Sequence, residues 1–249
     1  MQSLKTGIHE FIRTLGFEVW RTRPYGFDEW HDIKSIYGGR ALGTVFDVGA
    51  NAGQTARMLR GRLRAREVFS FEPNEKTFQQ LVANTRADSH VRPFNLALGD
   101  VSQEQTFYVT TYNCTDSLLR PSKDAARFFK DLTRPDREAK VKVVTLDDFC
   151  SSHDIGHIDL LKLDVQGFEL KVLDGAKRML QEQRVPLILT EVNFARMYEG
   201  QAFFHDVYQK LLPDYRLLGL YGWNYQSGPF LDWADALFVN PAALERRQT

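Results

Sequence analysis

From Val45 onward, short apolar runs alternate with stretches of helical periodicity, and this alternation restricts the chain to few folds. The runs are VFDVGA (45–50), EVFSFEP (67–73), VRPFNLALG (91–99), IDLLKLDV (158–165), PLILTEV (186–192), YRLLGLY (215–221) and ADALFVN (234–240). Helical stretches fall at 53–65, 75–87, 167–183 and 201–212. Near-continuous apolar strands separated by helices predict an α/β fold with a parallel sheet covered on both faces. Seven strands fit one doubly wound sheet. Residues 104–149 break the rhythm: TFYVTT, a polar loop and AKVKVVTLDDF predict a hairpin-like excursion on the sheet rim. Open α/β sheets bind ligands beyond the carboxyl ends of their strands, so the residues ending each strand are the ones to read.

The first strand ends in Asp47-Val48-Gly49-Ala50-Asn51-Ala52-Gly53 and leads into a helix. Glycines there let backbone approach a ligand closely. The second strand ends in Phe71-Glu72-Pro73-Asn74, with Glu72 19 positions past Gly53. A carboxylate at that spacing suits a ribose diol, because it accepts two hydrogen bonds. Both NAD and S-adenosylmethionine have such a diol. A dinucleotide pyrophosphate needs G-x-G-x-x-G and bare helix N-terminal amides. Here Asn51 takes the second glycine position and Asp47 precedes the turn. An acid repels a pyrophosphate and attracts a sulfonium, so D-x-G-x-N-x-G points to S-adenosylmethionine.

Four motifs in order, DVGANAG, FEPN, TLDDF (145–149) and LLKLDVQGFELKVLDGA (160–176), resemble the FkbM family of S-adenosylmethionine-dependent methyltransferases. The resemblance runs from about Thr44 to Asn193, with a weaker echo in DALFVN (235–240). It implies the class I methyltransferase fold, a Rossmann-like seven-stranded sheet, mostly parallel with the last strand antiparallel. It places Asp47, Gly49, Ala50, Asn51 and Gly53 around the methionine end of the donor. Glu72 and Pro73 would lie at the ribose, Asn95 and Ala97 at the adenine, and Asp164 and Val165 at the end of the fourth strand.

Lys162 and Asp164 share a face by period-two alternation, with Asp164 at the rim. Methyl transfer requires an acceptor oxygen held about 3 Å from the methyl carbon and a group that takes its proton late. Asp164 is the candidate base, with Glu191 beside it as the second catalytic candidate. Ser117, Lys162, Gln166, Asn193 and Trp223 are the acceptor-side candidates, although a buried ion pair is the favoured role for Lys162. Asp164, Glu191 and Asn193 could together hold Mg²⁺, but the resemblance implies no metal and none is assigned. His153 and His157 are spaced like a metal pair, yet read better as surface histidines.

The expected reaction is methyl transfer to a hydroxyl of a sugar, in a glycan, glycolipid or natural-product glycoside. Its rivals are N-methylation of an amide side chain and a non-catalytic cofactor-binding module. The aromatics of 221–233 offer a carbohydrate platform, and YGFDEW (25–30) could form a lid. Lys plus Arg equals Asp plus Glu, 32 against 32, which leaves no global field for a nucleic-acid backbone. A Pro-Pro-aromatic turn, which amino-methyltransferases of DNA and RNA require, is also absent after the fourth strand. No run of 18 apolar residues occurs, so stable membrane insertion is not expected. Two cysteines, Cys114 and Cys150, read as buried reduced thiols of a cytoplasmic protein. An amphipathic helix is expected over 3–16, residues 1–40 form an N-terminal helical extension or lid, and 41–249 form one methyltransferase domain. A homodimer is compatible with this reading.

Overall fold

The computed structural model describes residues 14–15, 24–129 and 135–246; the helix expected over 3–16 lies almost entirely outside them. A central sheet contains β1 (Thr44–Val48), β2 (Glu67–Phe71), β3 (Val91–Phe94), β7 (Leu160–Leu163), β8 (Leu187–Asn193), β9 (Arg216–Asn224) and β10 (Trp233–Val239). Their order is β3-β2-β1-β7-β8-β10-β9. The pairs from β3 through β8 are parallel, while β10 runs antiparallel to both β8 and β9. The expected seven-stranded class I sheet is therefore present, with the last strand reversed.

Alternation in the strands divides the apolar residues between two faces. Phe46, Val48, Leu161, Leu163 and Ile188 enter one core with Phe149, Phe168 and Val172. Val45, Leu160, Leu187 and Leu189 enter the other with Ile33, Leu42 and Leu59. The helices on these faces include α1 (Glu29–Ile36), α2 (Gln54–Arg62), α3 (Glu75–Thr85), α4 (Leu146–Ser152), α5 (Glu169–Asp174), α6 (Lys177–Gln181), α7 (Phe204–Leu211) and α8 (Pro241–Arg246). The single helix expected over 167–183 is two, because the chain leaves α5 at Gly175, where a Cβ would lie 1.9 Å from the Gly99 carbonyl oxygen.

The sheet corrects one expectation. The run 91–99 is not one strand: after β3 the chain turns at Asn95-Leu96 and Ala97–Gly99 forms β4 of a second sheet. That sheet has the order β4-β6-β5, where β5 (Gln103–Val109) and β6 (Arg137–Thr145) are the expected rim excursion, paired antiparallel. The segment 25–30 leads into α1. Asp28 caps α1 by accepting from the His31 N–H at 3.0 Å, and Gly26 lies against Gly219 of β9. Ile33 of α1 and Tyr37, which follows it, are buried in the core, and the Tyr37 hydroxyl donates to Asp159.

Candidate functional site

A cleft opens at the carboxyl ends of β1, β2, β7 and β8. It has a cavity volume of roughly 290 Å³ and is open to solvent at its mouth. Its lining divides into two ends. One end has Gly49, Asn51, Glu72, Pro73, Ala97 and Leu98; the other has Asp164, Gln166, Glu191, Met197, Phe129 and Trp233.

The first end is built by the turn after β1. The N–H groups of Gly49 and Ala50 both donate to the Phe71 carbonyl, at 3.0 and 2.9 Å, tying the turn to β2. Gly49 has φ +80°, and a Cβ there would sit 1.8 Å from the Asp164 carbonyl oxygen, so only glycine admits the close approach of the two strand ends. Glu72 is 7% exposed. Its oxygens accept the Asn51 N–H at 3.1 Å and the Asn74 N–H at 2.7 Å, and each retains a lone pair for a further donor. Burial pushes this carboxyl up to about 7, although the two N–H groups partly oppose the shift and Asp116 reinforces it.

These residues fit S-adenosylmethionine: a buried, cleft-lining carboxylate for a diol, a glycine floor, and Phe71, Ala97, Leu98 and Phe107 as apolar lining for an adenine. Because the carboxylate form of Glu72 is the one that accepts from a diol, apoprotein affinity for the donor should rise roughly tenfold from pH 6 to pH 8. Titration calorimetry across that range checks this, and a flat profile would remove Glu72 from the role.

The second end follows from sheet register. Asp47 pairs with Lys162, Lys162 with Leu189, and Asp235 with Glu191. Register partners share a face, and so do residues two apart on a strand, so Asp47, Lys162, Asp164, Glu191 and Asp235 project to one side of the sheet. Lys162 Nζ lies 2.9 Å from Asp164 Oδ2 and 3.8 Å from Asp47 Oδ1. Gln166 Nε2 donates to Asp164 Oδ1 at 3.0 Å, while its own Oε1 accepts from the Tyr198 hydroxyl at 2.9 Å. Burial would raise Asp164, but the Lys162 ammonium and these hydrogen bonds outweigh it and hold the carboxyl below its usual range. Glu191 is driven well above the usual range by burial and by the charge of Asp164. The two neighbouring carboxyls are thus biased to opposite protonation states, as acid–base sites require.

The loop between β7 and α5 is held in an unusual conformation. Gln166 has φ +56° and Gly167 φ +92°, and the buried Glu169 carboxylate accepts the N–H groups of Val165 and Gly167, each at 3.1 Å. Ser117 Oγ donates to the Gln166 carbonyl at 2.8 Å.

Several sequence candidates therefore have other places. Asp47 is buried beneath the floor, is not in the lining, and makes no hydrogen bond. Lys162 does not reach the lining and serves the ion pair. Ala50 is buried outside the lining, and Gly53 brings α2 against Leu81 and Thr85 of α3. Asn95 braces the turn after β2 by donating to the Glu72 and Pro73 carbonyls. Ser117 supports Gln166 from behind, and Asn193 is buried beyond the lining. Trp223 is exposed outside the cleft, and of the 221–233 aromatics Trp233 is the one in the lining. Cys114 is exposed and lines the cleft, contrary to the buried thiol expected, whereas Cys150 is buried. His157 lies 3.3 Å from Asp159, and His153 stacks on Phe149. Among the described residues, no group of three or more His, Cys, Asp and Glu is arranged to hold a metal ion.

Asp116, Phe129, Met197 and Tyr198 are among the residues that sequence reasoning missed. Asp116 ties the rim loop to the turn after β2, accepting from Asn74 Nδ2 and the Thr110 N–H, each at 2.7 Å. Asp116, Phe129 and Met197 line the cleft from loops, and Tyr198 stands behind Gln166; no strand-end periodicity marks them.

Residues 47–219 match the family model described as the methyltransferase FkbM domain. The chain belongs to the FkbM methyltransferase family. As an FkbM methyltransferase it uses S-adenosylmethionine as methyl donor. It is 28% identical over 181 residues to the 2-O-methyltransferase NoeI of Sinorhizobium fredii, covering 70% of this chain and 72% of that one. It is 29% identical over 177 residues to the hexuronic acid methyltransferase AglP of Haloferax volcanii, covering 71% of this chain and 66% of that one. The crystal structure of methyltransferase FkbM from Methylobacillus flagellatus KT has the same fold, with TM-score 0.51 and 16% identity, over 84% of this chain and 49% of that one. The FkbM chain thus spans about half of that solved protein. Among its described residues no helix is long and apolar enough to cross a membrane.

Proposed function

We propose that this FkbM methyltransferase transfers a methyl group from S-adenosylmethionine to a hydroxyl of a sugar. The observation that carries the reading is Asp164: an ionised carboxylate in the cleft lining, held by Lys162 and Gln166, beside Glu191 and facing an aromatic wall. The names of NoeI and AglP, a 2-O-methyltransferase and a hexuronic acid methyltransferase, support the same class of acceptor.

When bound, the donor supplies a methyl carbon already activated by its sulfonium. The protein's part is to hold the acceptor oxygen in line with that carbon and to take its proton. An alcohol is too weak an acid for Asp164 to ionise beforehand, so proton transfer accompanies formation of the carbon–oxygen bond. Lys162 and Gln166 leave one lone pair on each Asp164 oxygen for this purpose. Trp233 and Phe129, with ring centroids 5.9 Å apart, offer apolar faces for the C–H side of a pyranose.

The balanced charge of the chain supports a small-molecule or glycan acceptor over a nucleic acid, and two free cysteines accord with a cytoplasmic setting. Labelled donor incubated with a panel of glycosides, followed by mass spectrometry and NMR of the products, should show an O-methyl sugar. Label found only on amide nitrogen would overturn the proposal.

A further inference from the structure

The acceptor end of the cleft contains a polar atom with no partner. Glu191 Oε1 is buried and makes no hydrogen bond, and the residue is 8% exposed while lining the cleft. Asp164 and Asp235 act on Glu191 by their charge, Asp47 lies against Lys162, and these four carboxyl groups share the one ammonium of Lys162. Lys162 is already engaged by Asp164 and Asp47. The described lining as a whole carries Glu72, Asp116, Asp164 and Glu191 and no Lys, Arg or His. Glu191 is itself driven toward its protonated form, yet the carboxylates of Asp47, Asp164 and Asp235 still outnumber the Lys162 ammonium together with the donor's net single positive charge. Such a surface draws hydroxyl and ammonium donors and disfavours a further carboxylate, a selection made by repulsion as much as by attraction.

On the reading that the site methylates sugar hydroxyls, we infer that the acceptor is a sugar without an acidic group, neutral or amino, which donates a hydrogen bond to Glu191, and that hexuronic acids are rejected by charge. This separates the chain from its relative named for hexuronic acid. The aromatic wall of Trp233 and Phe129 agrees, since an uncharged pyranose face can stack there without an anion being buried beside Asp164.

The test uses the full chain, radiolabelled donor and matched p-nitrophenyl glycosides: glucoside with glucuronide, galactoside with galacturonide, and glucosaminide. Within each matched pair kcat/KM is expected to favour the uncharged sugar at least tenfold, with the glucosaminide accepted as well as the glucoside. Asp235→Asn removes a charge that acts on Glu191 without altering the lining, and should narrow that ratio at least threefold. A uronide methylated as fast as its neutral partner would overturn the inference and leave sugar methylation standing. A preserved ratio in Asp235→Asn would show that shape selects instead of charge, which also overturns it. Label on no member of the panel would overturn the sugar reading itself, and this inference with it.

Discussion

Asp164→Asn is expected to lower kcat by about a hundredfold to ten-thousandfold, the usual span for removing a positioned general base. That loss corresponds to roughly 3–5 kcal/mol of transition-state stabilisation. The amide matches the carboxylate in shape and keeps an oxygen toward Lys162, which retains Asp47 at 3.8 Å as a second partner. Donor affinity should therefore change less than about threefold, because Glu72 and the Gly49 turn are untouched. Single-turnover methylation and calorimetry separate the two effects. The acid limb of the pH profile offers a further discriminator. Asp164 is held below its usual range, so it is already ionised where Glu72, pushed up to about 7, is still protonated. Activity at subsaturating donor should fall with acidification through about pH 7, following Glu72. Undiminished turnover in Asp164→Asn would mean the proton leaves by another route.

Gly49→Ala should be the most damaging single methyl in the chain. Two penalties coincide: φ +80°, which an L-residue with a Cβ resists, and a Cβ position 1.8 Å from the Asp164 backbone oxygen. The β1 turn is anchored to Phe71 by two hydrogen bonds, and the Asp164 N–H donates to the Val48 carbonyl at 3.0 Å. Neither side can yield without breaking a strand-end contact. A cost of about 3 kcal/mol or more follows, which for a domain of this size lowers Tm by roughly 6–12 °C. Scanning calorimetry reads the shift. The surviving folded protein should also bind the donor poorly, since the clash displaces the floor of the cleft. A Tm within about 2 °C of the parent would show that the two strand ends can separate cheaply.

The strand-end motifs were legible because their chemistry is local. Glu72 follows a strand and a glycine turn at a fixed spacing, and Asp164 ends an apolar run, so parallel-sheet geometry brings both to one edge. Lys162 was legible as an ion pair for the same reason, since a lysine within a buried strand needs a carboxylate neighbour. The split of 91–99 was not, because every residue of it is compatible with a strand, and only pairing of Ala97–Gly99 with Val143–Thr145 shows a second sheet. Trp223 and Trp233 both lie in one aromatic stretch. Their sequence environments are alike, and what separates them is that β10 begins opposite Asn193 of β8, at the cleft, while Trp223 faces solvent.

The order of short apolar strands predicted the α/β sheet, the D-x-G-x-N-x-G turn with Glu72 pointed to the donor, and four motifs carried the resemblance to the FkbM family, because such signals act between near neighbours in the chain. Which carboxyl is ionised, which is left without a partner, and which aromatic faces the acceptor were decided only by the folded chain. Those properties depend on burial and on charges carried by β1, β7, β8 and β10 together, and such distances do not exist until the sheet has closed its register.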